Sequence, residues 1–124
     1  MIQILAIAAG GAIGSVLRYA VSTGVYSILG RNFPYGTLAV NVAGSFLMGF
    51  LFVLMVERLD MSGMWRMAIL VGFLGAFTTF STFSIETVNL IQGGDYMRAL
   101  LNIAISVAFC LAATWIGFRL GRLI

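Results

Sequence analysis

Three rows of polar side chains sit at helical spacing inside otherwise apolar sequence. Residues four apart share a helix face. Thr37, Asn41, Ser45 and Gly49 form one row, and Asn102, Ser106, Cys110 and Thr114 form a second. In the third, Thr79, Thr82 and Glu86 share a face, with Ser81 nearby and Phe80 and Phe83 on the adjacent face. The rows offer hydroxyls, amides and a thiol, with no deep ring of carboxylates. Cation pores commonly use acidic rings or stacked carbonyls. Hydroxyl and amide N–H groups donate hydrogen bonds, and a phenylalanine edge carries the positive part of the ring quadrupole, so this chemistry suits a small anion. A single membrane Ser or Thr commonly bonds back to its own helix, and a Phe pair commonly just packs. Three aligned rows, two containing an asparagine, point instead to a narrow polar pathway between helices, because an asparagine in lipid must find partners in other helices or in water.

Two charges accompany the rows. Glu86 is the only acid inside an apolar span, near one end of it, where a carboxylate can also snorkel to the interface. Arg18 is the only cation well inside a span. Charge in a membrane marks a functional site by default. Arg18 therefore has three readings: it concentrates anions at a pore mouth, it snorkels, or it pairs with Glu86.

The elements that hold these rows must live in lipid. The chain has 124 residues, 61% hydrophobic and 9% charged, against roughly half and about a quarter in a soluble domain. A soluble globule would lack polar cover, and disorder needs low hydrophobicity with high charge. A span takes roughly 20 residues, so four spans with short loops use up the length. The expectation is a single transmembrane domain over 1–124, all-α, with spans at about 2–29, 36–56, 64–91 and 96–121. Four helices are few for enclosing a wide pore, so an oligomer is expected. The N-terminal apolar stretch lacks a preceding basic region and reads as a retained helix rather than a cleaved signal. The 7 basic residues are all arginine and are scattered, with no cluster for nucleic acid. There is no histidine to relay protons or bind a metal. The single Cys110 allows no internal disulfide and no zinc or haem spacing. No nucleophile–base pair, metal set or cofactor loop marks an enzyme.

Local signals refine this plan. Gly10 and Gly14 form a GxxxG face that lets helices approach closely. Residues 30–35 and 93–95 have turn chemistry. Glu57 to Asp60 read as a charged loop, with Asp60 or Ser62 able to cap the next helix. The third segment is long, and its centre, from Gly72 to Ser84, is rich in Gly, Phe, Ser and Thr. A helix broken mid-membrane near Gly75 to Thr78 is expected, and irregular backbone survives in a bilayer only when buried in protein or lining a polar cavity. With both termini inside, Arg58, Arg66, Arg119 and Arg122 face one side and Arg31 and Arg98 the other, a weak bias for the positive-inside rule. The chain either adopts that simple orientation or inserts both ways and pairs antiparallel.

The run from Gly72 to Glu86, GFLGAFTTFSTFSIE, resembles the signature of the Fluc/CrcB fluoride channel family. YGTLAVNVAG from Tyr35 to Gly44 and GGAIGSVLRY from Gly10 to Tyr19 resemble its second-helix and first-helix motifs. The resemblance covers nearly the whole chain in order, length and span count. It implies an antiparallel, dual-topology homodimer in the cell membrane, the inner membrane of a bacterium, that exports fluoride passively through two pores. By the same resemblance, Phe80 and Phe83 match the family's pore phenylalanines and Asn41 its second-helix asparagine. Ser106 matches the fourth-helix hydroxyl. Gly75 and Thr78 match the backbone carbonyls that hold a central structural sodium ion at the dimer interface. Thr37, Glu86 and Asn102 line a pore mouth in this reading, and Asn102 and Cys110 differ in type from some relatives. Ala76 stands where the family commonly has glycine. Two other readings compete: a proton-coupled small multidrug transporter using Glu86, and a non-transporting structural membrane subunit.

Overall fold

In lipid, an apolar run can satisfy its backbone only by closing its hydrogen bonds within itself. The computed structural model describes residues 1–124 and is all-helical. Four stretches are long and apolar enough to cross a membrane: span 1 (Ile2–Leu29), span 2 (Tyr35–Arg58), span 3 (Gly63–Gln92) and span 4 (Tyr96–Leu123). Their ends lie close to those expected. Gly30 and Gly94 make the reversals at φ 82° and 79°, left-handed values that favour glycine.

Small residues decide which helices touch. Span 1 packs along the first half of span 3, and span 2 along span 4. A Cβ added at Gly10 or Gly14 would run into the backbone of Ala68 or Phe73. Gly49 and Gly117 do the same for spans 2 and 4, against Thr114 and Phe46. Such close backbone approach supplies the van der Waals contact that holds helices together where no hydrophobic effect operates between them. Only 20 of 124 residues are buried, so the chain has a thin interior and an apolar exterior suited to lipid or to another protein surface.

The helices depart from α geometry in two places. Val53–Arg58 and Met67–Leu74 are wound as wider π-type turns, and the Leu59 amide closes on the Leu54 carbonyl at 2.8 Å. Glu57 and Arg58, expected in a loop, thus continue span 2. The Arg122 guanidinium pairs with both Glu57 oxygens at 3.0 Å, and Arg58 donates to the Arg122 carbonyl at 3.0 Å, clipping the ends of spans 2 and 4 together. Ser62 stands at the N-cap position of Gly63–Arg66 but makes no side-chain cap, and Asp60 turns the chain at φ 44° instead of capping. Both residues are exposed, so water can satisfy those amides.

Within span 3 the helical residues Gly75–Phe77 and Phe80–Gln92 flank Thr78 and Thr79. These two threonines are extended, at φ −89°, ψ 158° and φ −152°, ψ 114°. Gly75 itself is helical, at φ −61°, ψ −35°.

Candidate functional site

An extended pair inside a membrane span leaves backbone groups that need partners. Thr78 uses its own helix: its amide and its hydroxyl both reach the Leu74 carbonyl, at 3.1 and 3.0 Å. Thr79 borrows a partner from span 2. Its amide donates to Asn41 Oδ1 at 2.8 Å, and Asn41 Nδ2 donates to its carbonyl at 3.0 Å. The Asn41 side chain acts as a peptide unit and closes a two-bond ring across the helix gap. Thr79 then restarts the helix. Its hydroxyl accepts from the Thr82 amide at 3.1 Å and donates to Thr82 Oγ1 at 2.9 Å, with Ser81 Oγ at 3.3 Å. Side-chain capping of this kind is worth about 1 kcal/mol.

A cavity of about 390 Å³ opens beside this pair. Span 2 contributes Asn41, Gly44, Ser45 and Met48 to its wall. Span 3 adds Thr78, Thr79, Phe80 and Phe83, and span 4 adds Ser106, Val107, Cys110, Leu111 and Thr114. All three polar rows therefore meet in one space: Asn41 and Ser45 from the first, Ser106, Cys110 and Thr114 from the second, and Thr79 from the third. The Phe80 and Phe83 ring centres lie 5.3 Å apart, tilted by 46°. Phe80 is 76% exposed, so it is not packed into the chain's own core. Thr114 donates to the Ser45 and Cys110 carbonyls at 3.1 and 3.0 Å, so its hydroxyl ties span 4 to span 2.

A second polar cluster lies toward one end of the spans. Thr37 Oγ1 donates to Glu86 Oε1, and Tyr26 Oη donates to Glu86 Oε2 at 2.6 Å. A cavity of about 230 Å³ beside it is lined by Tyr26, Arg31, Asn32, Pro34, Glu86, Asn89 and Leu90. The Arg31 guanidinium carbon sits 4.5 Å from the Tyr26 ring centre.

The remaining candidates are placed differently. Asn102, 2% exposed, donates to Thr87 Oγ1 at 2.9 Å and accepts from Ser106 Oγ at 3.2 Å, bordering neither cavity. Arg18 is half-buried, makes no ion pair and borders neither cavity; the Glu86 carboxylate is held by Tyr26 and Thr37 instead. Ser81 is exposed, and Thr82 is turned to the Thr79 cap. Two contributors escaped the sequence reading. Tyr26 pairs with a residue 60 positions away, and nothing local marks it. Thr87 bonds the Phe83 carbonyl at 2.7 Å and receives Asn102; its place four residues beyond Phe83 was the available signal.

Residues 5–118 match the family described as CrcB-like protein, Camphor Resistance (CrcB). The chain is 55% identical over 122 residues to a protein of Magnetococcus marinus named fluoride-specific ion channel FluC, covering 98% of this chain and 99% of that one. It is 50% identical over 121 residues to the protein of that name from Coxiella burnetii, covering 97% and 98%. The Methylococcus capsulatus protein of the same name is 54% identical over 121 residues, covering 98% of this chain; there the chain spans only about half the relative's length, 53%.

Proposed function

Because this chain belongs to the CrcB family, we propose that it is a fluoride-selective channel, a multi-pass membrane protein that lets fluoride leave the cell down its electrochemical gradient. The observation that carries this reading is the cavity where Asn41, the Phe80–Phe83 pair and Ser106 converge beside the extended threonines.

Fluoride must shed water to pass a narrow pore, and the wall must compensate without trapping it. The Asn41 amide has two N–H donors. One is spent on the Thr79 carbonyl, and the other is available to an anion in the cavity. The Ser106 hydroxyl holds Asn102 through a 3.2 Å bond, longer than the usual range for O–H donors, so it can swing to a passing anion at small cost. The Phe80 and Phe83 edges offer positive quadrupole without a formal charge. Weak neutral donors in series favour entry and release together.

The open side of the cavity and the exposed Phe80 suit a second copy packed against this face. In an antiparallel, dual-topology homodimer the helix interruption of span 3 would lie mid-membrane in both copies, and each copy would complete a pore, giving two. A structural sodium ion fits the same interruption. The Thr79 amide, which would close a helical turn on the Gly75 carbonyl, is engaged by Asn41, and Thr78 is extended. Carbonyl oxygens suit a hard cation. Gly75 and Thr78, two oxygens from each subunit, would hold it at the dimer interface, where its charge would offset the C-terminal end of the helix finishing at Phe77.

Proton-coupled transport would need its carboxylate where the substrate passes; Glu86 borders the smaller cavity and not the one where the polar rows meet. The test is fluoride efflux, read with a fluoride electrode, from liposomes containing the purified protein. Release well above that of empty vesicles, with chloride retained, is the expected result. Fluoride retention equal to that of empty vesicles rejects the reading.

A further inference from the structure

Glu86 is an obstacle on an anion's route. It is the one carboxylate close to the polar pathway, and it borders the smaller cavity. The structure holds it in a definite way. Its two oxygens each accept a hydroxyl, one from Thr37 on span 2 and one from Tyr26 on span 1. Tyr26 also lies 3.4 Å from Thr37 Oγ1. Span 1 sends no other side chain to either cavity. The same Tyr26 ring carries Arg31 on its face at 4.5 Å. One phenol therefore bridges a fixed anion and a fixed cation.

We infer that Tyr26 is a positioning residue of the pore mouth: its hydroxyl ties the Glu86 carboxylate to the wall while its ring seats Arg31, so that an arriving anion meets the cation first. The inference rests on the fluoride-channel reading. Hydrogen bonds from hydroxyls to a carboxylate are short and strong, and donors on both oxygens hold its charge in place. An arginine over a tyrosine ring gains a further attraction and keeps its N–H groups free for an anion. Opposite charges held at the face and at the hydroxyl of one ring give the mouth a local field, which concentrates small anions and weakens as salt rises. A purely packing role for Tyr26 would be kept by phenylalanine, which retains the ring and the cation contact and loses only the hydroxyl.

The experiment measures fluoride efflux from liposomes at two ionic strengths for the wild type, Tyr26→Phe, Glu86→Gln and the double variant, each first checked for wild-type elution on size exclusion. Tyr26→Phe should slow efflux about tenfold, the loss that matches one hydrogen bond to a charged group, and more at low salt than at high. In the double variant the rate should return to that of Glu86→Gln, because no carboxylate is left to restrain. Tyr26→Phe equal to or faster than wild type overturns the inference, as does a double variant as slow as Tyr26→Phe. Arg31→Gln gives a separate check if Tyr26→Phe does not fold: it should slow efflux most at low salt, and an unchanged rate overturns the role of the cation. A wild type that releases no fluoride defeats the channel reading itself, whereas a conducting wild type with an indifferent Tyr26→Phe defeats the mouth alone.

Discussion

The polar cluster at Asn41 and Thr79 and the polar cluster at Tyr26 and Glu86 solve one problem with different materials. The first uses only neutral groups: an amide, backbone N–H and C=O, and hydroxyls. The second contains a carboxylate and an arginine. Their positions explain the contrast. Thr79 sits near the middle of span 3, with Asn41 bonded to it there, where a charge would be taken from water into low dielectric at a cost of several kcal/mol. Glu86 lies two helical turns beyond Thr79 toward the end of span 3, and Arg31 lies in the turn after span 1, closer to water and headgroups. In the proposed channel, neutral donors serve at depth and formal charge is kept for the entrance.

The contrast can be broken most severely at Asn41. Asn41→Asp preserves shape but exchanges a donor for an acceptor, setting a carboxylate against the Thr79 carbonyl and placing a charge in the deep cluster. Efflux should fall by more than about a hundredfold, with about 3 kcal/mol or more of stability lost. A melting temperature within a degree or two of wild type would show that the two-bond ring does not hold the interruption. Next, because it costs flux but no stability, is Phe80→Ile, which removes the ring edge and leaves the backbone network intact. Flux should drop below detection with unchanged elution and melting, and normal flux would remove the aromatic edge from the mechanism. The smallest effect separates the two clusters by a reagent. A methanethiosulfonate bearing a bulky group should block the wild type at Cys110, in the deep cavity. On Cys110→Ser combined with Asn89→Cys, at the smaller cavity, the same reagent should slow efflux by only about twofold to fivefold, a change of under about 1 kcal/mol in barrier. Equal block at both positions would erase the distinction between depth and entrance.

The sequence makes some of this plain and hides the rest for physical reasons. Four spans follow from apolar runs, and the contact made by Gly10 and Gly14 follows from small residues at helical spacing. The rows at Asn41 and Ser106 are visible because lipid makes any polar residue conspicuous. Their partners are not visible. Asn41 bonds backbone rather than another side chain, and backbone is the same at every position. Tyr26 finds Glu86 only after the helices pack. Asn102 sits among the right neighbours in the row but turns to Thr87 rather than to Glu86. The π-type turns at Val53–Arg58 and Met67–Leu74 have no local composition signal, since apolar residues wind either way and neighbouring packing selects the width. The absent caps at Asp60 and Ser62 arise at the exposed turn, where water competes with the side chain.

The ring between Asn41 and Thr79 carries one more consequence. An amide can present either its oxygen or its nitrogen to a passing ion, and in most settings a half-turn about one bond exchanges them. Here the half-turn would press Asn41 Oδ1 against the Thr79 carbonyl and Nδ2 against the Thr79 amide, so the polarity of the side chain is locked by the backbone it repairs. In the proposed channel, the bonds that mend the helix thereby also hold the amide's spare N–H in place for an anion.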